Sequence, residues 1–165
     1  MHTADTGGFE EFTAFTAADE HAMRLAIDAS RTALAAGNGP FGATLATPAG
    51  EVLLTMGNNR KTSGDCTGHA EMVLVREAAA RFGAQALRGA TVYASGEPCA
   101  MCAGAMFWAG VGRVVFAATQ ADIDAALGAP SLPSACAALL RAANPPVRVD
   151  RELLRGEAAA ALRGA

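Results

Sequence analysis

The chain has 165 residues, 52% of them hydrophobic and 18% charged, with a net charge of −3. This is the balance of a globular chain of one domain's length, and it excludes a disordered or fibrous protein. The 13 basic residues are scattered along the chain rather than gathered in the patch of a nucleic-acid binder, and no apolar run approaches a bilayer span.

Met1–Phe15 reads as a loose leader, acidic and mixed, without the basic start and apolar centre of an export signal. The expected compartment is the cytoplasm, where thiols stay reduced, so the four cysteines point to metal or catalysis more than to disulfides. Thr16-Ala17-Ala18-Asp19 has the form of a helix start, and Glu20–Ala36 continues it with Met23, Ile27 and Leu34 on one broad face. Gly37-Asn38-Gly39-Pro40 ends that helix.

Phe41–Thr47 and Val52–Asn58 read as strands joined by the turn Pro48-Ala49-Gly50. A polar loop, Arg60–Thr67, leads to a helix over about His69–Phe82, which Gly83 closes. Thr91–Ser95 is a short strand, and a third helix runs from Pro98 to Ala109 with proline in its first turn. Val114–Ala117 is continuous and apolar, as a buried strand should be. Ile123–Leu127 and Ala135–Ala142 are expected to be short helices around a proline-broken loop. Val147–Val149 is expected as an edge strand and Glu152–Leu162 as a C-terminal helix. Alternating strands and helices imply an α/β layered domain built mainly on a single sheet. Pattern alone leaves the strand order open.

The chemistry concentrates in Gly68-His69-Ala70-Glu71 and Glu97-Pro98-Cys99-Ala100-Met101-Cys102. Cys99 and Cys102 are three apart, so on the first turn of a helix their sulfurs face one way. A helix N-terminus also favours thiolate, the form that binds metal. His69 adds a nitrogen. One histidine and two cysteines make a three-ligand set with the fourth position open, the pattern of catalytic zinc (Zn2+). Glu71 can take a proton from water and return it to a substrate. Residues two apart on a helix do not share a face, so His69 and Glu71 converge only if the metal lies off the helix end.

A structural reading competes. Cys66-x-x-His69 with Cys99-x-x-Cys102 forms a Cys3His set that could close a zinc module without turnover, but it leaves Glu71 without a role. Cys136 is expected to be a buried small apolar residue, and His2 and His21 surface or leader residues.

H-x-E followed by P-C-x-x-C is the signature of zinc nucleobase deaminases. From about Gly39 to Ala118 the chain resembles the cytidine deaminase-like superfamily, in the branch with guanine deaminases, cytosine deaminases and tRNA adenosine deaminases. The resemblance also includes Gly39-Pro40-Phe41-Gly42-Ala43, Gly57-Asn58-Asn59 and Gly104-Ala105-Met106. It implies a three-layer α/β/α sandwich with a mixed five-stranded sheet, one deaminase domain over residues 1–165, and a homodimer or higher oligomer. It further implies that Asn58 hydrogen-bonds the substrate ring, that the Ala70 backbone N–H contacts it, and that Phe41 and Trp108 line the base pocket. For Trp108, beside Phe107, core or interface packing is an equal alternative, and Asn59 serves equally as a turn residue. The chain departs from that branch in having cysteine at position 66, where proline is common. It also lacks an aromatic C-terminal tail, ending Leu162-Arg163-Gly164-Ala165, and a basic C-terminal helix. Asp122 and Asp124 lie near the acidic position of guanine deaminases but at different spacing.

The implied activity is hydrolytic removal of ammonia from a small heterocyclic amine with water as co-substrate. A guanine-like purine stands first and a cytosine-like ring second, with adenosine in tRNA as the alternative. Neither nucleic acid nor membrane is the expected partner.

Overall fold

Helix α1 (Ala17–Ala35) begins where Thr16 caps it: the Thr16 side chain accepts the Asp19 N–H at 3.1 Å, and the Asp19 carboxylate accepts the Thr16 N–H at 2.9 Å. This reciprocal pair satisfies two N–H groups that the helix cannot bond itself. The computed structural model describes residues 14–132 and 136–164. Most of the expected leader, His2, Ala135 and Ala165 lie outside the described residues.

Met23 and Ile27 are fully buried, as their face predicts, whereas Leu34 is 37% exposed. Strand β1 (Gly42–Ala46) is buried at every position and β2 (Val52–Gly57) only half-buried, the signature of a central strand beside an edge. Gly42 is where α1 crosses the sheet, and a Cβ there would collide with the Ala26 carbonyl oxygen. Backbone approach this close needs glycine.

The expected polar loop contains a short helix, α2 (Arg60–Ser63), that ends in left-handed Gly64. Then come α3 (Ala70–Phe82), a 3-10 turn at Ala84–Leu87, β3 (Thr91–Gly96), α4 (Ala100–Trp108) and β4 (Arg113–Ala118). The last elements are α5 (Gln120–Leu127), α6 (Cys136–Arg141), β5 (Arg148–Arg151) and α7 (Arg155–Leu162). The C-terminal helix starts three residues later than its composition suggests. Glu152 and Leu154 take left-handed backbone (φ 68° and 57°), which turns the chain before a helix can begin.

The five strands lie in the order β2-β1-β3-β4-β5. β1 runs antiparallel to both neighbours, while β3, β4 and β5 are mutually parallel, so the sheet is mixed. Helices α1 and α7 cover one face, and α3, α4 and α6 the other. Leu74, Val92, Met106, Val114 and Phe116 centre the core on the second face, and Met23, Ile27, Tyr93, Val115 and Leu162 that on the first. Each such side chain contributes roughly 1.5–3 kcal/mol on burial. This is the expected three-layer α/β/α sandwich. No helix among the described residues is long and apolar enough to cross a membrane.

Candidate active site

Three ligand atoms meet where two helices of the same layer begin. His69 is the N-cap of α3, with extended backbone (φ −70°, ψ 148°). Cys99 is the N-cap of α4 (φ −72°, ψ 171°), and Cys102 is the third helical residue. Cys99 Sγ and Cys102 Sγ lie 3.6 Å apart, and they stand 3.6 and 3.7 Å from His69 Nδ1. A tetrahedral ion with Zn–S of about 2.3 Å and Zn–N of about 2.0 Å has edges of about 3.8 and 3.5 Å. The donor set fits zinc in identity and in size, and it is the group so arranged among the described residues. The ligand nitrogen is Nδ1, which spacing alone could not specify.

Because the donors gather off the end of α3, an N-cap and the second helical residue can point to one place. Glu71 does so: Cys102 Sγ approaches its Oε2 at 3.5 Å. The demand that the spacing makes is met. Glu71 is buried, and burial raises its carboxyl above the usual carboxylate range. The Cys102 thiol, and then the His69 ring, hold Cys99 down at about 4 against the opposing effect of burial. Sharing that proton with Cys99 pushes Cys102 up. Contact with Cys99 raises His69.

The loop ahead of His69 is held locally. Asp65 Oδ1 accepts the Thr67 N–H at 2.8 Å and its hydroxyl at 2.7 Å, and Arg76 on α3 reaches Asp65 Oδ2 at 3.2 Å. This turn leaves Cys66 exposed and outside the ligand group. The competing Cys3His alternative is thereby disfavoured, as Glu71 already argued: the Asp65–Thr67 turn leaves position 66 exposed, and the donor group has three members. His21 is exposed and Cys136 buried, both as expected.

The Asn59 N–H donates to the Gly68 carbonyl at 3.0 Å, which sets Asn58 beside the histidine segment. Asn58 is buried; its N–H donates to the Phe41 carbonyl at 2.9 Å and its Oδ1 accepts the Arg60 N–H at 3.1 Å. The amide NH2 remains a donor without a partner among the described residues. Asn59 is the N-cap residue of α2, a turn role. Phe41 packs against both cores at the sheet end. Ala70 is buried and opens α3, where the first N–H groups of a helix lack intrahelical acceptors.

Trp108 ends α4 and is 85% exposed, with its ring edge-on to Phe107 at 5.0 Å. With that exposure the ring does not join the core of the described residues. The structure also brings in residues that local motifs do not announce. Cys136 lies on α6, which packs against α4, and its fully buried thiol is pushed up to about 12, first by burial and then by the charges of Glu97, Glu71 and Cys99. Gly96 and Ile123 meet Phe41 next to the cysteine loop. No spacing rule marks either, since they come from different elements.

This fold and donor set define a zinc deaminase-type domain. Residues 16–118 match the family profile of the cytidine and deoxycytidylate deaminase zinc-binding region, and the chain belongs to that family. It is 41% identical over 100 residues to a tRNA-specific adenosine deaminase of Bacillus subtilis, covering 61% of this chain and 62% of that protein. To a guanine deaminase of the same organism it is 42% identical over 84 residues, 51% of this chain and 53% of that one. The chain thus spans between about half and two-thirds of these relatives. Among solved structures, a guanine deaminase from Nitrosomonas europaea superposes with a TM-score of 0.74 at 27% identity, covering 87% of this chain and 82% of that one. A structure from a study of tRNA:A34 deaminases gives 0.70 at 28% identity, covering 86% and 98%.

Proposed function

We propose that the chain is an aminohydrolase that removes ammonia from a small heterocyclic nucleobase or nucleoside, with a guanine-like purine first and a cytosine-like ring second. The observation that carries this is the buried Glu71 carboxylate 3.5 Å from a zinc-ligand sulfur, in a set with three protein ligands. Zinc held by His69, Cys99 and Cys102 supplies Lewis acidity and a water acidic enough to react near neutral pH. Glu71 accepts a proton from water and passes it to a ring nitrogen as the water oxygen bonds to the ring carbon; it then takes the remaining hydroxyl proton and delivers it to the amine as the C–N bond breaks and ammonia leaves. Burial suits it to this work by bringing its pKa upward, toward the operating pH. The free Asn58 amide donates to an acceptor on the ring, the Ala70 N–H to another, and Phe41 packs on the ring. Seven of the 13 basic residues are spent in ion pairs, which favours a small substrate over a polyanion.

A tRNA adenosine is the second reading, favoured by the tRNA-specific relative and by Arg60 and Lys61 following Asn58-Asn59. An ammonia-release screen over guanine, adenine, cytosine and their nucleosides, run beside inosine formation in bulk tRNA, separates the two. Turnover of tRNA alone overturns the first. We place the protein in a reducing compartment, the cytoplasm. We also propose that it works as a homodimer or larger assembly through α4. That helix has no charged residue, yet Trp108 at its end is left exposed by the described residues.

A further inference from the structure

Helix α5 follows directly on β4 and is held at its start by three contacts. The Glu97 Oε2 accepts the Gln120 N–H at 2.9 Å, which ties α5 to the residue just before the Pro98-Cys99 pair. Thr119 and Asp122 form a reciprocal capping box, and Asp122 is paired with Arg155 at 2.8 Å. The helix therefore has one orientation relative to the cysteine loop. Its sequence there is Asp122-Ile123-Asp124, so a carboxylate on either side could have been turned toward the site. Neither is. Asp122 is bound to Thr119 and Arg155, and Asp124 Oδ1 accepts from Gln120 Nε2 and the Ser131 hydroxyl, each at 2.8 Å.

What α5 presents instead is hydrocarbon. Gly96 lies three residues before Cys99, and a Cβ on it would stand 3.0 Å from Phe41 Cε1 and 3.1 Å from Ile123 Cδ1. The missing side chain is the space in which the Phe41 edge and the Ile123 δ-methyl come together. On the other side of Phe41, a Cβ on Gly39 would stand 3.3 Å from the Phe41 ring and 3.5 Å from the Asn58 amide. Ile123 and Phe41 thus both border Gly96 at the start of the cysteine loop, where they also pack against the α1-face core, and Phe41 and Asn58 both border Gly39.

We propose that Ile123 is a specificity-determining residue of this site: it closes the α5 side of the ring pocket with hydrocarbon. The site accordingly selects aminated rings whose edge on that side bears C–H or methyl and carries no further amino or hydroxyl group. This rests on the deaminase reading above and sharpens its substrate class. A polar substituent pressed against Ile123 and Phe41 would lose its water without gaining a partner. An apolar wall rejects such an analogue by about a hundredfold at most.

The test uses the zinc-loaded full chain and compares parent, methyl-substituted and amino-substituted forms of purine and pyrimidine bases, each assayed for ammonia release. Binding is followed in parallel by thermal shift in a Glu71→Gln background, where turnover is removed. Ile123→Asn should raise kcat/KM and binding for amino-substituted rings relative to methyl-substituted ones by tenfold or more, inverting the wild-type ranking. Ile123→Ala should admit larger alkyl groups without favouring amino groups. If both variants are folded, hold zinc and rank the series as the wild type does, the proposal is overturned. If either fails to fold, Ile123→Val and Ile123→Thr, nearly equal in volume, carry the same comparison. No ammonia from any base with the wild type would overturn the deaminase reading itself, which is a distinct result.

Discussion

Two buried polar clusters flank the sheet, and they are built on opposite principles. On the α1 face, Asp19 Oδ1 accepts from the Tyr93 hydroxyl and from Arg113 Nη1, each at 2.6 Å, and Arg113 Nε donates to Asp150 at 2.7 Å. Its donors and acceptors answer one another, and it joins α1, β3, β4 and β5. On the α3/α4 face, two thiols, an imidazole and a carboxylate crowd together with nothing between them to balance their charge except one another. The first cluster pairs acid with base and joins distant elements; the second gathers two sulfurs, a ring nitrogen and a carboxylate around one point, the composition of a metal site. The first therefore reads as a staple and the second as a site.

The contrast can be broken most sharply at Glu71. Glu71→Ala should keep zinc at one per chain, measured by elemental analysis, and lower turnover by about 10²–10⁴-fold. Ammonia release at the wild-type rate from the zinc-loaded variant would remove Glu71 from the mechanism. Cys102→Ala should lose most of the bound metal, whereas Cys66→Ala should retain it, because only the former sulfur lies in the ligand group.

At the staple the effect should fall on stability rather than chemistry. Arg113→Met leaves Asp19 and Asp150 without their cation and should cost about 3 kcal/mol in denaturant unfolding, with activity per folded molecule retained. Burial alone would raise the Asp19 carboxyl, but Arg113, Thr16 and Tyr93 together bring it from 3.8 to about 2. A folded value below the unfolded one gives stability that is whole above about pH 4 and is lost as pH falls through 2. That contribution is about 2 kcal/mol, and the acid slope should flatten in Arg113→Met. Trp108→Ser should have the smallest effect on chain stability, since the ring is 85% exposed, yet it should lower the assembly mass seen by light scattering.

The two clusters also differ in how far the sequence reveals them. His69 and Glu71, or Cys99 and Cys102, sit within a turn of each other, so their convergence follows from helix geometry once the metal is placed off the helix end. Asp19, Tyr93, Arg113 and Asp150 are separated by up to 94 positions along their hydrogen bonds, and each alone is an ordinary surface-type residue. The same holds for the ring pocket. Asn58 and Phe41 were legible through short motifs, but Ile123 meets Gly96 only because β4 and α5 return the chain to the end of β3. Cys66 shows the limit of spacing: its distance from His69 in sequence suits a ligand, and only the turn held by Asp65 decides that it stays exposed.

The sequence by itself determined the donor set, the carboxylate beside it, the layered α/β class and nearly every element, because these depend on residue chemistry and on periods of two to four positions. The tertiary structure alone decided the strand order, Nδ1 as the ligand nitrogen, and the exposure of Cys66 and of Trp108. It alone also decided that Ile123 of α5 comes up to Gly96 beside Phe41. Each of these depends on which distant segments the sheet brings within a few ångströms of one another.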